Sequence, residues 1–149
     1  MGSYQKVLVG TDGSDTSFKA VDRAAAVAAD SSAELVVVCA YEPEGADTVK
    51  AAKEALGSDA YQVVGSSPAE SVLRDAADRA KTLGAEKITT LAVKGPPVDV
   101  LDQAVADQRA DLLVVGNVGL NTLTGRILGS VPQSVARRSG VDVLIVHTS

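Results

Sequence analysis

Short apolar runs alternate along this chain with longer segments in which apolar residues return every three to four positions. Five of the short runs read as strands: Lys6 to Gly10, Glu34 to Tyr41, Lys87 to Val93, Asp111 to Val115 and Asp142 to Val146. They are rich in valine and leucine, as expected of strands covered on both faces. Between them, Phe18, Val21, Ala25 and Ala28 make one helical face, and Leu73, Ala76, Ala77, Ala80 and Leu83 make another. Val98, Leu101 and Val105 make a third. Gly84 reads as a helix stop and Pro97 as a helix start. Strand and helix in alternation predict an α/β domain: a five-stranded parallel sheet with helices on both faces.

One stretch breaks the rhythm. Glu42 to Ser67 is rich in Glu, Asp, Ala, Gly and Ser, with room for a short helix from Asp47 to Leu56. A connection of that length inside a compact domain is usually functional or mobile, which suggests a lid. No internal repeat or interdomain linker is visible, so residues 1–149 read as a single domain.

Composition narrows the function classes. Hydrophobic residues make up 46% of the chain, yet there are only three tyrosines, one phenylalanine and no tryptophan, which suits alanine-rich helices packed closely on a valine-rich sheet. The formal charge of −5, with basic residues scattered, argues against nucleic acid as a partner, since such proteins cluster Lys and Arg against phosphates. The single cysteine, Cys39, lies in an apolar run and reads as a reduced core residue. No apolar run is long enough to span a bilayer, and the first ten residues lack signal-peptide character. The expectation is a cytoplasmic protein with no membrane partner.

The residues with candidate chemistry sit where strands end. After the fourth run, Gly116, Asn117, Val118 and Gly119 open a loop that reaches Gly129, Ser130, Val131 and Pro132, the expected start of a helix. Glycine lets backbone approach a ligand closely, and a helix N-terminus offers unpaired N–H groups and the positive end of a dipole. A strand, a glycine loop and a helix start together make an anion site. After the first run, Asp12 lies in Gly10-Thr11-Asp12-Gly13-Ser14-Asp15. It reads either as a turn or capping residue or as an acceptor for ribose hydroxyls or a base amino group. Ser130 reads either as an N-cap or as a phosphate donor, and Arg126 either as a solvated loop charge or as a phosphate contact. His147 stands without a second ligand or triad partner nearby in sequence, so no metal site and no catalytic group are expected. The absence of G-x4-G-K-[ST] and of G-x-G-x-x-G excludes a recognisable P-loop hydrolase and a dinucleotide dehydrogenase.

Written as spacing, the second loop is G-x2-G-x9-G-S, and it resembles the phosphate-binding signature of the universal stress protein family in its nucleotide-binding branch. The resemblance extends over the whole chain, from Val7-Leu8-Val9-Gly10-Thr11-Asp12-Gly13-Ser14 through Gly95-Pro96-Pro97 to Val141 to Val146. Together with right-handed crossovers, it implies the sheet order 3-2-1-4-5, Rossmann-like, with a ligand crevice where the first and fourth strands lie side by side. It implies adenine between the ends of strands one and two, by Ala40 and Tyr41, and ribose against Asp12. Phosphate would lie on Gly116, Val118, Gly119, Gly129, Ser130 and Val131, with Arg126 in reach. Gly10 and Thr11 complete the cofactor set, and a bulkier residue at Gly10 or Gly119 is expected to abolish binding while leaving the fold intact.

Two departures from the family pattern matter. Pro132 removes an N–H from the anion-facing turn, a loss a long triphosphate feels more than a compact single phosphate, which leaves ATP and cyclic AMP both open. Mg2+ enters only with ATP. Val141-Asp142 replaces a usual proline before the last strand, which commonly pairs across a homodimer in the family. The expected function is non-enzymatic: a nucleotide-responsive binder, buffer or switch. The alternatives are slow ATP hydrolysis and a stress-response scaffold without nucleotide dependence.

Overall fold

The computed structural model describes residues 4–41, 66–116 and 141–147. Five parallel strands are present: β1 (Lys6–Gly10), β2 (Glu34–Tyr41), β3 (Lys87–Lys94), β4 (Leu112–Gly116) and β5 (Asp142–Val146). Among the described residues, three helices lie between them: α1 (Asp15–Ser31), α2 (Ser66–Thr82) and α3 (Pro97–Gln108). The sheet order is β3-β2-β1-β4-β5, as the resemblance implied. β1 is central, pairing with β2 from Lys6↔Glu34 to Gly10↔Val38 and with β4 at Val7↔Leu112 to Val9↔Val114. The uninterrupted apolar runs of β1, β2 and β4 follow from this placement, because both of their faces are covered. The two edges, β3 and β5, are only partly buried, and Ile145 of β5 is 49% exposed.

Side chains alternate across the strands into two cores. Val7, Val9, Leu35, Val37, Cys39, Leu112 and Val114 face α1 and α2, while Leu8, Val36, Val38, Leu113 and Val115 face α3. α1 meets the first core with Ser17, Ala20, Val21, Ala24, Ala25 and Ala28, a stripe of small residues that brings the helix close to the sheet. α2 adds Ala69, Leu73, Ala76 and Ala80. The two helices are tied across their outer surface by Arg79, whose Nε and Nη2 donate to Asp22 Oδ1 (3.0 Å) and Oδ2 (2.6 Å) while its guanidinium lies 5.1 Å from the Phe18 ring centre.

Three helix ends refine the expectations. α2 stops at Thr82, so Leu83 lies beyond the helix and is 44% exposed instead of joining the buried face. Gly84 then takes φ +102°, and the N–H of Ala85 returns to Ala80 O. α1 and α3 end without glycine: Ser32 (φ 54°) and Arg109 (φ 55°) occupy the left-handed region, and the following residues, Ala33 and Ala110, close the turn onto Ala28 O and Val105 O. At the amino end of the sheet, Asp111 accepts from the N–H groups of Gln5 (2.9 Å) and Lys6 (3.0 Å), joining β1 to the start of β4 far from the opposite edge. No helix among the described residues is long and apolar enough to cross a membrane. Of the proposed lid, Glu42 to Ser67, the last two residues begin α2, while residues 42–65, with the short helix expected from Asp47 to Leu56, lie outside the described residues, as do Val98's side chain and most of the loop after β4.

Candidate functional site

β1 and β4 are neighbours, and the chain leaves them toward opposite sides of the sheet: the route from β1 leads to β2 and the route from β4 to β5. Such a switch point opens a crevice beyond the carboxyl ends of the two strands. Gly10 and Gly116 end those strands, so the structure brings the starting points of the two sequence-predicted loops to one edge. Ala40 and Tyr41 end β2 on the same edge, Ala40 half-buried toward α3 and Tyr41 half-buried toward α1 and α2. Val118, Gly119, Arg126, Gly129, Ser130 and Val131 lie outside the described residues.

The turn from β1 into α1 is a closed hydrogen-bond network. Thr11 N–H donates to Val38 O (2.9 Å), extending the β1–β2 pairing by one residue and fixing the turn to the sheet. Ser17 Oγ donates to Ser14 O (2.9 Å), so in its 2.7 Å pair with Thr11 the Thr11 hydroxyl is the donor. Thr11 Oγ1 in turn accepts from Gly13 N–H (3.2 Å). Thr11 is 2% exposed and its side chain is fully engaged, so what it can offer a ligand is backbone.

Asp12 emerges from this frame half-buried. Its Oδ1 accepts from both the N–H (2.9 Å) and the hydroxyl (2.5 Å) of Ser14. Among the described residues, nothing bonds to Oδ2. The turn reading of Asp12 therefore holds, and it uses one carboxylate oxygen among the described residues. Ser14 is also the N-cap of α1, accepting from Ser17 N–H (3.2 Å) with extended backbone at φ −73°, ψ 156°. Its proton is committed to Asp12, so in the 3.1 Å contact with Thr16 it is Thr16 that donates. Gly13 holds φ +87°, and a Cβ there would stand 2.9 Å from Val72 Cγ2, so α2 closes over the turn from the side. Ser14, Ser17 and Val72 were not singled out in the sequence. The Asp-Gly-Ser order signals a turn, but which hydroxyl bonds which carboxylate oxygen is set by the fold.

The structure revises the expectation for Gly10. A Cβ at this position would lie 2.9 Å from Leu101 Cδ2 and 3.1 Å from Cδ1. Leu101 is a buried α3 residue, so the space Gly10 leaves is filled by the core, and a larger side chain there disturbs packing as well as the crevice. Cys39, one residue before Ala40, is buried, and burial followed by the charge of Asp12 pushes its thiol up to about 12. It is a free cysteine buried in the core that faces α1 and α2, as the apolar run around it suggested. Among the described residues no group of three or more His, Cys, Asp or Glu side chains is placed to hold a metal ion.

With this geometry in hand, comparison with known proteins is direct. The family model for the universal stress protein family matches residues 3–147. Universal stress protein Rv1636 of Mycobacterium tuberculosis is 48% identical over 149 residues, covering all of both chains. A crystal structure of a universal stress protein in complex with cAMP is 50% identical, with 98% of each chain covered and a TM-score of 0.73. Universal stress protein UspA from Lactobacillus plantarum, at 20% identity and a TM-score of 0.71 over 99% of this chain, shares the fold.

Proposed function

This chain belongs to the universal stress protein family, and on that premise we propose that it binds an adenine nucleotide in the crevice at the carboxyl ends of β1 and β4. The observation that carries this reading is Asp12, in the turn that follows β1 on the edge where Gly116 and the end of β2 also lie: Ser14 holds one carboxylate oxygen, and among the described residues no donor to the other is found. A single fixed acceptor at a switch point suits a ribose hydroxyl. The relative of 50% identity that was crystallised with cAMP supports the same class of ligand.

In the proposed complex, adenine lies by Ala40 and Tyr41, ribose on Asp12, and phosphate on Gly116, Val118, Gly119, Gly129, Ser130 and Val131, with Arg126 in reach. The protein acts as a cytoplasmic single-domain nucleotide-responsive binder rather than an enzyme, and forms a homodimer through β5. Cyclic AMP and ATP are the ligands to compare, with Mg2+ only alongside ATP.

Calorimetric titration of nucleotide-stripped protein with cAMP and with Mg-ATP tests the proposal. Binding of either supports it, and the tighter one names the ligand. Absence of heat and of displacement with both overturns it in favour of a scaffold role, and release of phosphate from ATP would make the protein an enzyme.

A further inference from the structure

We infer that Ser14, a residue of the helix cap, is the positioning residue for ribose recognition: by holding Asp12 Oδ1 it aims Oδ2 at the ligand and makes the site selective for ribonucleotides over 2′-deoxyribonucleotides. The inference rests on the nucleotide reading of the crevice. Its own basis is the directed hydrogen-bond network of the turn. An aspartate at a loop tip rotates among side-chain rotamers unless something holds it. Here Ser14 donates twice, from N–H and from Oγ, to the same oxygen. That double contact leaves Oδ2 with no donor among the described residues.

The neighbouring hydroxyls do not compete for the role. Thr11 and Ser17 are each 2% exposed and their hydroxyls are bonded to one another and to the turn backbone, so neither is presented to a ligand. An ionised carboxylate accepts only, so the ligand group it meets must be a donor. In cAMP the ribose keeps one free hydroxyl, the 2′-OH, so deleting that group reads this contact alone. A charge-assisted hydrogen bond of this kind corresponds to roughly tenfold or more in affinity.

The test is calorimetry on the full chain with cAMP and 2′-deoxy-cAMP. Wild type is expected to prefer cAMP by about tenfold or more. Asp12→Ala removes the preference. Ser14→Gly keeps a tolerable helix cap, so its melting temperature should move by only about 1–2 °C, while its preference for cAMP shrinks at least about threefold as Asp12 loosens. Ser14→Thr, which restores hydroxyl and cap, recovers the preference. The double variant Asp12→Ala with Ser14→Gly should discriminate no worse than Asp12→Ala alone, because Ser14 acts through Asp12.

A Ser14→Gly protein that keeps the full preference overturns the positioning role while leaving the nucleotide site standing. So does a double variant worse than Asp12→Ala. Wild type that binds neither probe overturns the nucleotide reading itself, and wild type that binds both equally removes the ribose contact.

Discussion

Cys39 and Gly10, near the carboxyl ends of β2 and β1, both face the core. Cys39 is buried beneath the end of β2, its thiol pushed up to about 12 by burial and then by the Asp12 charge. Since the thiolate is the reactive form, alkylation of the native protein at pH 8 should proceed only as fast as the chain opens; rapid labelling would contradict this packing. The same shift has a sign in stability. The unfolded thiol ionises near its ordinary 9.0 and the folded one near 12, so stability is unaffected below pH 9 and falls as pH rises from 9 toward 12. Urea denaturation across that window should show a steeper decline for wild type than for Cys39→Ala. Gly10→Val is expected to destabilise by about 1–3 kcal/mol through Leu101, read as a lower urea midpoint with nucleotide absent. An unchanged midpoint would mean α3 yields freely. Asp12 was legible as a turn former from the Asp-Gly-Ser order; that a single oxygen closes the turn depends on Ser14, whose contacts no residue order announces.

At the scale of elements, strands were read from apolar runs to within a residue at each end; β1, β2 and β4, buried on both faces, have few polar positions to blur them. Helix ends were harder. Periodicity carried Leu83 into the buried face of α2, but the helix stops at Thr82 and the Gly84 turn sends Leu83 outward. Ser32 and Arg109 adopt the left-handed conformation usually supplied by glycine, so neither C-cap could be recognised from composition. That conformation strains a residue with a Cβ, and Arg109→Gly is therefore expected to raise stability by about 0.5–1 kcal/mol in thermal or urea unfolding. The Arg79–Asp22 tie between α1 and α2 is partly exposed, with side chains 45% and 34% accessible. Its loss in Arg79→Ala should lower stability by no more than about 1 kcal/mol, with the stacking over Phe18 included.

For the whole molecule, the order β3-β2-β1-β4-β5 needed the family resemblance, since the rhythm of strands and helices specifies a parallel sheet but is silent about which strands touch. Once the order holds, the crevice follows, and with it the meeting of the Gly10 and Gly116 ends. Among the described residues β5 is the last strand of the sheet, and its Ile145 is 49% exposed. If the proposed dimer pairs through that edge, Ile145→Lys should yield a monomer by light scattering with its fold preserved by circular dichroism; a wild type already monomeric would remove the proposal. The central position of β1 also has a consequence for biosynthesis. Lys6 waits for Asp111, 105 residues later, before its second edge can be covered. At roughly 5–20 residues per second, a ribosome leaves the nascent chain about 5–20 s in that condition, with the apolar edge of its first strand open to chaperones or to neighbouring chains. The β1 turn and the β4 end that frame the crevice emerge from opposite ends of that interval, so any nucleotide bound there arrives only after β4 has left the exit tunnel.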